Sequence, residues 1–123
     1  MISFDLFSME DGSPIYLQII LYIKRGIVAG TIQDGDELPS RRVLSALLSV
    51  NPNTVQKAYR MLEDEGLIQS RSGAKSCIML DEQTLRRLRQ ELLEGDARTI
   101  VSTMKQMGLS KEEALSLIET YWE

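Results

Sequence analysis

The residues of this 123-residue chain whose types suit chemistry are clustered, and they are binders rather than catalysts. Asn51, Asn53, Thr54, Gln56, Lys57 and Arg60 follow one another closely, with Pro52 among them. A carboxamide sets a donor beside an acceptor, the arrangement that pairs with the edge of adenine. Threonine offers a base edge its hydroxyl and a thymine its methyl. Lys57 and Arg60 supply the positive charge that phosphates attract. Ser40, Arg41 and Arg42 lie upstream; Arg71, Gly73 and Lys75 lie downstream. Catalytic sets are missing by comparison. The chain has no histidine, so the usual general base and the usual metal ligand are both absent. Its one cysteine, Cys77, has no partner for an intrachain disulfide, which fits a reduced, cytoplasmic setting. With no nucleophile–base pair, metal cluster or phosphate loop, the chain reads as a non-enzyme without a cofactor.

Composition agrees with a folded domain: 43% of residues are hydrophobic and 26% charged. No apolar run approaches the roughly 20 residues that span a bilayer. The start, Met1 to Phe7, carries Asp5 and no basic residue, unlike a secretory signal. The net charge of −4 disfavours a polyanionic partner, but its distribution does not. From Leu38 to Leu80 there are six basic residues (Arg41, Arg42, Lys57, Arg60, Arg71, Lys75) against three acids, Glu63, Asp64 and Glu65, which sit together.

The elements that must hold these side chains follow from punctuation and periodicity. Ser13 as N-cap and Pro14 in the first turn open a helix with Ile15, Ile19, Tyr22 and Ile27 at helical spacing; Leu17, Ile20 and Ile23 widen the face, and Gly30 stops it. Thr31 to Leu38 reads as a loop with a short extended piece. Ser40 caps a second, short helix that turns Val43, Leu44, Leu47 and Leu48 to the core and ends near Leu48. Ser49-Val50 is a tight connection. Asn51-Pro52 opens a third helix whose stripe is Val55, Tyr59 and Leu62, flanked by Ala58 and Met61, ending at Gly66. Leu67-Ile68 and Cys77–Leu80 are strand-like, with a polar turn between, and Cys77 is assigned to the core face. Beyond Asp81 a helical stripe continues through Leu85, Leu88 and Leu92. It resumes at Ala97, Ile100, Met104 and Met107 after an expected bend or break at Gly95-Asp96. Ser110-Lys111-Glu112-Glu113 is a capping box for a last helix with Ala114, Leu117, Ile118 and Tyr121.

Helix, short helix, tight turn, helix and hairpin make a winged helix-turn-helix. The expected fold is mainly α with a small β-hairpin: a DNA-binding winged helix over residues 1–80, then a two-helix dimerisation arm over residues 81–123. Two helices joined by about three residues cross steeply, so the second projects its first turn outward, sized for a major groove. The C-terminal stripe is too narrow to bury itself within one chain. Leu85, Leu88, Leu92, Ile100, Met104, Leu117 and Tyr121 are therefore assigned to a homodimer, which would read a pseudo-palindromic site in double-stranded DNA.

Several of these segments resemble the GntR family of bacterial regulators. They are Leu38-Pro39-Ser40-Arg41-Arg42-Val43-Leu44, Val50-Asn51-Pro52-Asn53-Thr54-Val55, Ala58-Tyr59, and Leu62-Glu63-Asp64-Glu65-Gly66-Leu67-Ile68. The upstream Pro14-Ile15-Tyr16-Leu17-Gln18-Ile19 and the Gly30-x-Ile32-x-x-Gly35-Asp36 loop are similar as well. The short tail looks like that of the YtrA subfamily, whose C-terminal helices dimerise in place of a large effector domain. The resemblance implies DNA contacts by Ser40 and Arg42, by Asn51, Asn53, Thr54 and Gln56, and at a wing tip around Gly73. Two positions depart from the family. Arg41 stands where an acidic residue is frequent, and Gly73-Ala74-Lys75-Ser76 lacks the wing's second glycine. The implied function is transcription regulation, by repression, with room for an unspecified small-molecule effector. A winged helix that binds protein instead of DNA is the alternative; it would not require the exposed Asn53-Thr54-x-Gln56-Lys57 surface.

Overall fold

In the computed structural model, residues 1–71 and 75–123 are described. Among them are five helices: α1 (Ile15–Ala29), α2 (Arg41–Leu48), α3 (Pro52–Asp64), α4 (Glu82–Gln106) and α5 (Lys111–Tyr121). Three short strands, β1 (Glu37–Leu38), β2 (Ile68–Arg71) and β3 (Lys75–Ile78), form an antiparallel sheet in the order β1-β3-β2. The expected hairpin is thus β2-β3, with Ile68 opposite Ile78 and Arg71 opposite Lys75. The extended piece expected before α2 is its third strand, Leu38 lying opposite Ser76. No helix of the described residues is long and apolar enough to cross a membrane.

Local chemistry explains most boundaries. Ser40 Oγ accepts the Val43 N–H at 3.1 Å, and Asn51 Oδ1 accepts the Asn53 N–H at 2.8 Å, so both helices of the helix-turn-helix begin on their expected caps. Between them Ser49 adopts the left-handed conformation at φ 56°, which reverses the chain within three residues and lets Val50 N–H return to Ser45 O at 3.0 Å. Gly30 ends α1 in the same conformation, at φ 84°. One cap differs from expectation: Pro14, not Ser13, is the N-cap of α1. Its carbonyl accepts the first helical bonds from Leu17 and Gln18, and the Ser13 carbonyl goes to the Gln18 side chain at 2.9 Å. Gln18 also exchanges two hydrogen bonds with the Glu10 backbone, fastening the N-terminal arm to α1.

The chain divides into two compact units, Met1–Arg89 and Gln90–Glu123. The core of the first is built from Ile19, Ile20, Ile23 and Ile27 of α1, Leu44 of α2, Val55, Ala58, Tyr59 and Leu62 of α3, and Leu67, Ile68 and Ile78 around the sheet. Three sequence expectations are corrected here. Val43 and Leu47 do not face the core; they are 55% and 61% exposed, because a helix of eight residues presents a stripe only wide enough for Leu44, Ser45 and part of Leu48. Cys77 is not on the core face of β3, since strand alternation gives that face to Ser76 and Ile78. Leu88 belongs to this core, at 5% exposure, so the first turns of α4 pack on the winged helix and Leu88 is not part of an open dimer stripe. The arm before α1 adds Ile2 and Phe4 to the core. Phe4 stacks on Tyr22 with ring centroids 4.9 Å apart, and the Tyr22 hydroxyl donates to Ser3 O at 2.8 Å.

In the second unit, α4 runs unbroken through Gly95 and Asp96, so the expected bend is absent. Ser110 and Glu113 form the expected capping box of α5. None of residues 90–123 is buried.

Two predictions follow from the core. A Cβ at Gly26 would lie 2.5 Å from Ile32 Cδ1 and 2.8 Å from its Cγ1, and Ile32 is itself buried. Gly26→Ala should lower stability by about 1 kcal/mol in urea unfolding, the overpacking outweighing alanine's helix propensity. Tyr59 is buried with its hydroxyl donated to Pro39 O at 2.7 Å. Burial pushes its phenol above the ordinary tyrosine value, opposed by the nearby Arg41 charge. The unfolded chain therefore ionises first. Tyr59's contribution to stability is complete below about pH 10 and declines as pH rises further. Tyr59→Phe should cost about 1–2 kcal/mol at neutral pH by leaving the Pro39 carbonyl unpaired, and should remove this residue's share of the alkaline decline.

Candidate nucleic-acid interface

The candidate surface lies on helix α3. Its inner face is consumed by Val55, Ala58, Tyr59 and Leu62, all buried. At helical spacing the opposite face carries Asn53, Lys57 and Arg60, all exposed, with Asp64 beyond them. Thr54 and Gln56 flank that face and are half-buried; Pro52 is exposed at the first turn. Asn51 is occupied as a cap through its oxygen, and its carboxamide nitrogen has no protein partner among the described residues. The surface thus offers amide groups at the start of the helix and two cations one and two turns along.

Position and angle are set by α2. The Tyr59 hydroxyl reaches back to Pro39 O, and the Arg41 guanidinium lies over the Tyr59 ring at 5.4 Å. Arg41 is half-buried in this stack, and its Nε is buried without a hydrogen-bond partner among the described residues. The Arg41 side chain is thus already packed against Tyr59. Arg42 is exposed beside it, and Ser40 is engaged as the helix cap. On the sheet, Lys75 is exposed and 3.8 Å from Glu37. Gly73 and the side chain of Arg71 lie outside the described residues.

Charge is partitioned along α3. Of the three acids at its end, Glu65 pairs with Lys24 of α1 at 2.8 Å, and Glu63 accepts the Ser70 N–H at 3.3 Å. Two carboxylates are therefore tied to α1 and the sheet, which leaves the first turns of α3 and the start of α2 net positive despite the acidic whole. The sequence reading missed Tyr16. This α1 residue lies beneath Lys57, with the ammonium 4.0 Å from its ring centroid. Its position immediately beside Ile15, off the main apolar stripe of α1, was the available signal.

Comparison with known proteins identifies the family. Residues 15–76 match the family described as bacterial regulatory proteins, gntR family. The chain is 35% identical to the uncharacterized HTH-type transcriptional regulator YhcF of Bacillus subtilis, covering 93% of this chain and 94% of that protein. It is 39% identical to the HTH-type transcriptional repressor YtrA of the same organism, covering 80% of this chain and 71% of that one. Among solved structures, a GntR family transcriptional regulator from Listeria monocytogenes superposes with a TM-score of 0.80 at 33% identity, covering 91% of this chain and 98% of that chain. These relatives are regulators and not enzymes. The winged helix-turn-helix, its exposed amide and cationic face, and these matches together place the chain in the GntR family, as a YtrA-like DNA-binding transcriptional regulator.

Proposed function

We propose that the chain acts in the cytoplasm as a homodimeric repressor that occupies a pseudo-palindromic operator. The single observation that carries the DNA-binding surface is the face of α3 on which Asn53, Lys57 and Arg60 are exposed together. In this reading Asn53, Thr54 and Gln56 meet base edges in the major groove, and Asn51 adds its remaining amide. Lys57, Arg60 and Arg42 hold phosphates, and Arg41 adds charge from its stack on Tyr59. Lys75 would track the backbone or the minor groove.

Support for the dimer comes from the second unit. Ile100, Val101, Leu117, Ile118, Tyr121 and Trp122 are all exposed, and residues 90–123, none of them buried, do not hold themselves together. A second copy covering Leu85, Leu92, Ile100, Met104, Leu117 and Tyr121 would bury this surface. Two recognition helices would then meet half-sites one or more helical turns apart. Repression is supported by the name of the B. subtilis relative YtrA, which is a repressor.

Selection of bound sequences from a random duplex pool, at fixed salt, tests this reading. An enriched inverted repeat is expected; no enrichment from folded protein would contradict it. Light scattering at micromolar concentration should return the dimer mass, and a monomer mass would remove the second copy. On the selected duplex, Asn53→Ala with Gln56→Ala should weaken specific binding by about 1–3 kcal/mol per lost contact and leave unrelated DNA unaffected. Lys57→Ala should weaken both and reduce the slope of log K against log salt by about 0.9 per protomer.

A further inference from the structure

Lys57 differs from the other lysines whose partners the structure shows. Lys24 is spent on Glu65 at 2.8 Å, and Lys75 lies 3.8 Å from Glu37. Each of those carboxylates offsets the charge that a polyanion would feel. Lys57 has no carboxylate partner among the described residues; its ammonium sits 4.0 Å from the centroid of the Tyr16 ring. An aromatic face attracts a cation through its quadrupole and carries no net charge. The ring therefore restrains the lysine without neutralising it, and the ammonium keeps N–H donors directed away from the ring. The two residues come from different helices, Tyr16 from the first turn of α1 and Lys57 from the exposed face of α3.

We propose that Tyr16 is a positioning residue for DNA binding, holding the Lys57 ammonium in place for a phosphate of the duplex before the duplex arrives. The proposal rests on the reading of Lys57 as a phosphate contact. A free lysine loses much rotamer freedom when it is fixed by a ligand. One already confined by a ring loses less, and the difference appears as affinity. Because a phosphate carries no sequence information, the gain falls equally on operator and unrelated DNA. Because the number of phosphates neutralised does not change, the salt dependence stays as it is.

The test uses the full chain, the selected operator duplex and a short duplex of unrelated sequence, each titrated over a range of salt. Tyr16→Leu should weaken binding to both duplexes by about two- to fivefold per protomer, the range of an exposed cation–π contact, with the salt slope of the wild type. Tyr16→Phe, which keeps the ring, should bind as the wild type does. In a Lys57→Ala background, Tyr16→Leu should cause no further loss. A loss of equal size in that background, no loss in the wild-type background, or tighter binding would each overturn the proposal. If Lys57→Ala itself leaves the salt slope unchanged, the phosphate reading of Lys57 fails and the proposal falls with it. A lowered slope with a silent Tyr16→Leu rejects the role of Tyr16 alone. Should Leu at position 16 prevent folding, proton resonances of the Lys57 ε-methylene in the wild type serve instead. They should be shifted upfield by the ring in free protein and remain so on the duplex; their return to ordinary positions on binding would overturn the proposal.

Discussion

A short helix can deliver its first turn to another molecule only if its later turns are clamped, and here the clamp is Tyr59. The ring is buried, its hydroxyl closes on the Pro39 carbonyl 20 residues earlier, and the Arg41 guanidinium lies over its face. Three kinds of interaction meet on one side chain: apolar burial, a hydrogen bond to a buried carbonyl, and a cation against a ring. Each links α3 to the entry of α2. With Ser49 reversing the chain in the left-handed conformation, the clamp leaves the two helices little freedom in how they cross. The angle at which Asn53, Lys57 and Arg60 emerge is a consequence of that crossing.

The same region shows how an acidic chain can present a basic face. The carboxylates at the end of α3 do not need to be far from its exposed cationic face; they need partners elsewhere. Lys24 takes Glu65, and the backbone of β2 takes Glu63. The lysine of the recognition face is held by a neutral ring instead. Cap residues divide their labour in a similar way. Ser40 and Asn51 each spend an acceptor on a helix terminus, and the groups they keep are the hydroxyl proton and the amide that a nucleic acid can accept.

Much of this was legible in the amino-acid sequence because it is local. Ser40 and Asn51-Pro52 mark helix starts by chemistry that acts within three residues, and Gly30 marks a stop by a conformation that it tolerates. The stripe Val55, Tyr59 and Leu62 follows from periodicity alone. What was not legible depends on partners distant in sequence. Val43 and Leu47 read as core because they are apolar, yet only packing decides which residues of a two-turn helix are covered. Cys77 and Ser76 exchange faces with a register shift of one residue, which no local signal sets. Gly95 lowers helix propensity without a competing turn, so α4 continues through it. Ile2 and Phe4 enter the core through pairing with β1, as Ile2 N–H donates to Glu37 O at 2.7 Å. Leu88 was assigned to a dimer stripe because its spacing matched, but a helix can change partners along its length while keeping one apolar face.

The central claim is that the exposed face of α3 reads bases from the major groove. Replacing each adenine of the selected duplex in turn with 7-deazaadenine measures this directly, because it removes the N7 acceptor that a carboxamide meets in the major groove and leaves base pairing intact. The expected result is weaker binding at an adenine within each half-site, with that adenine's effect lost when Asn53 is replaced by alanine. No loss of binding from any such replacement, or a pattern untouched by Asn53→Ala in a folded protein, would contradict the claim.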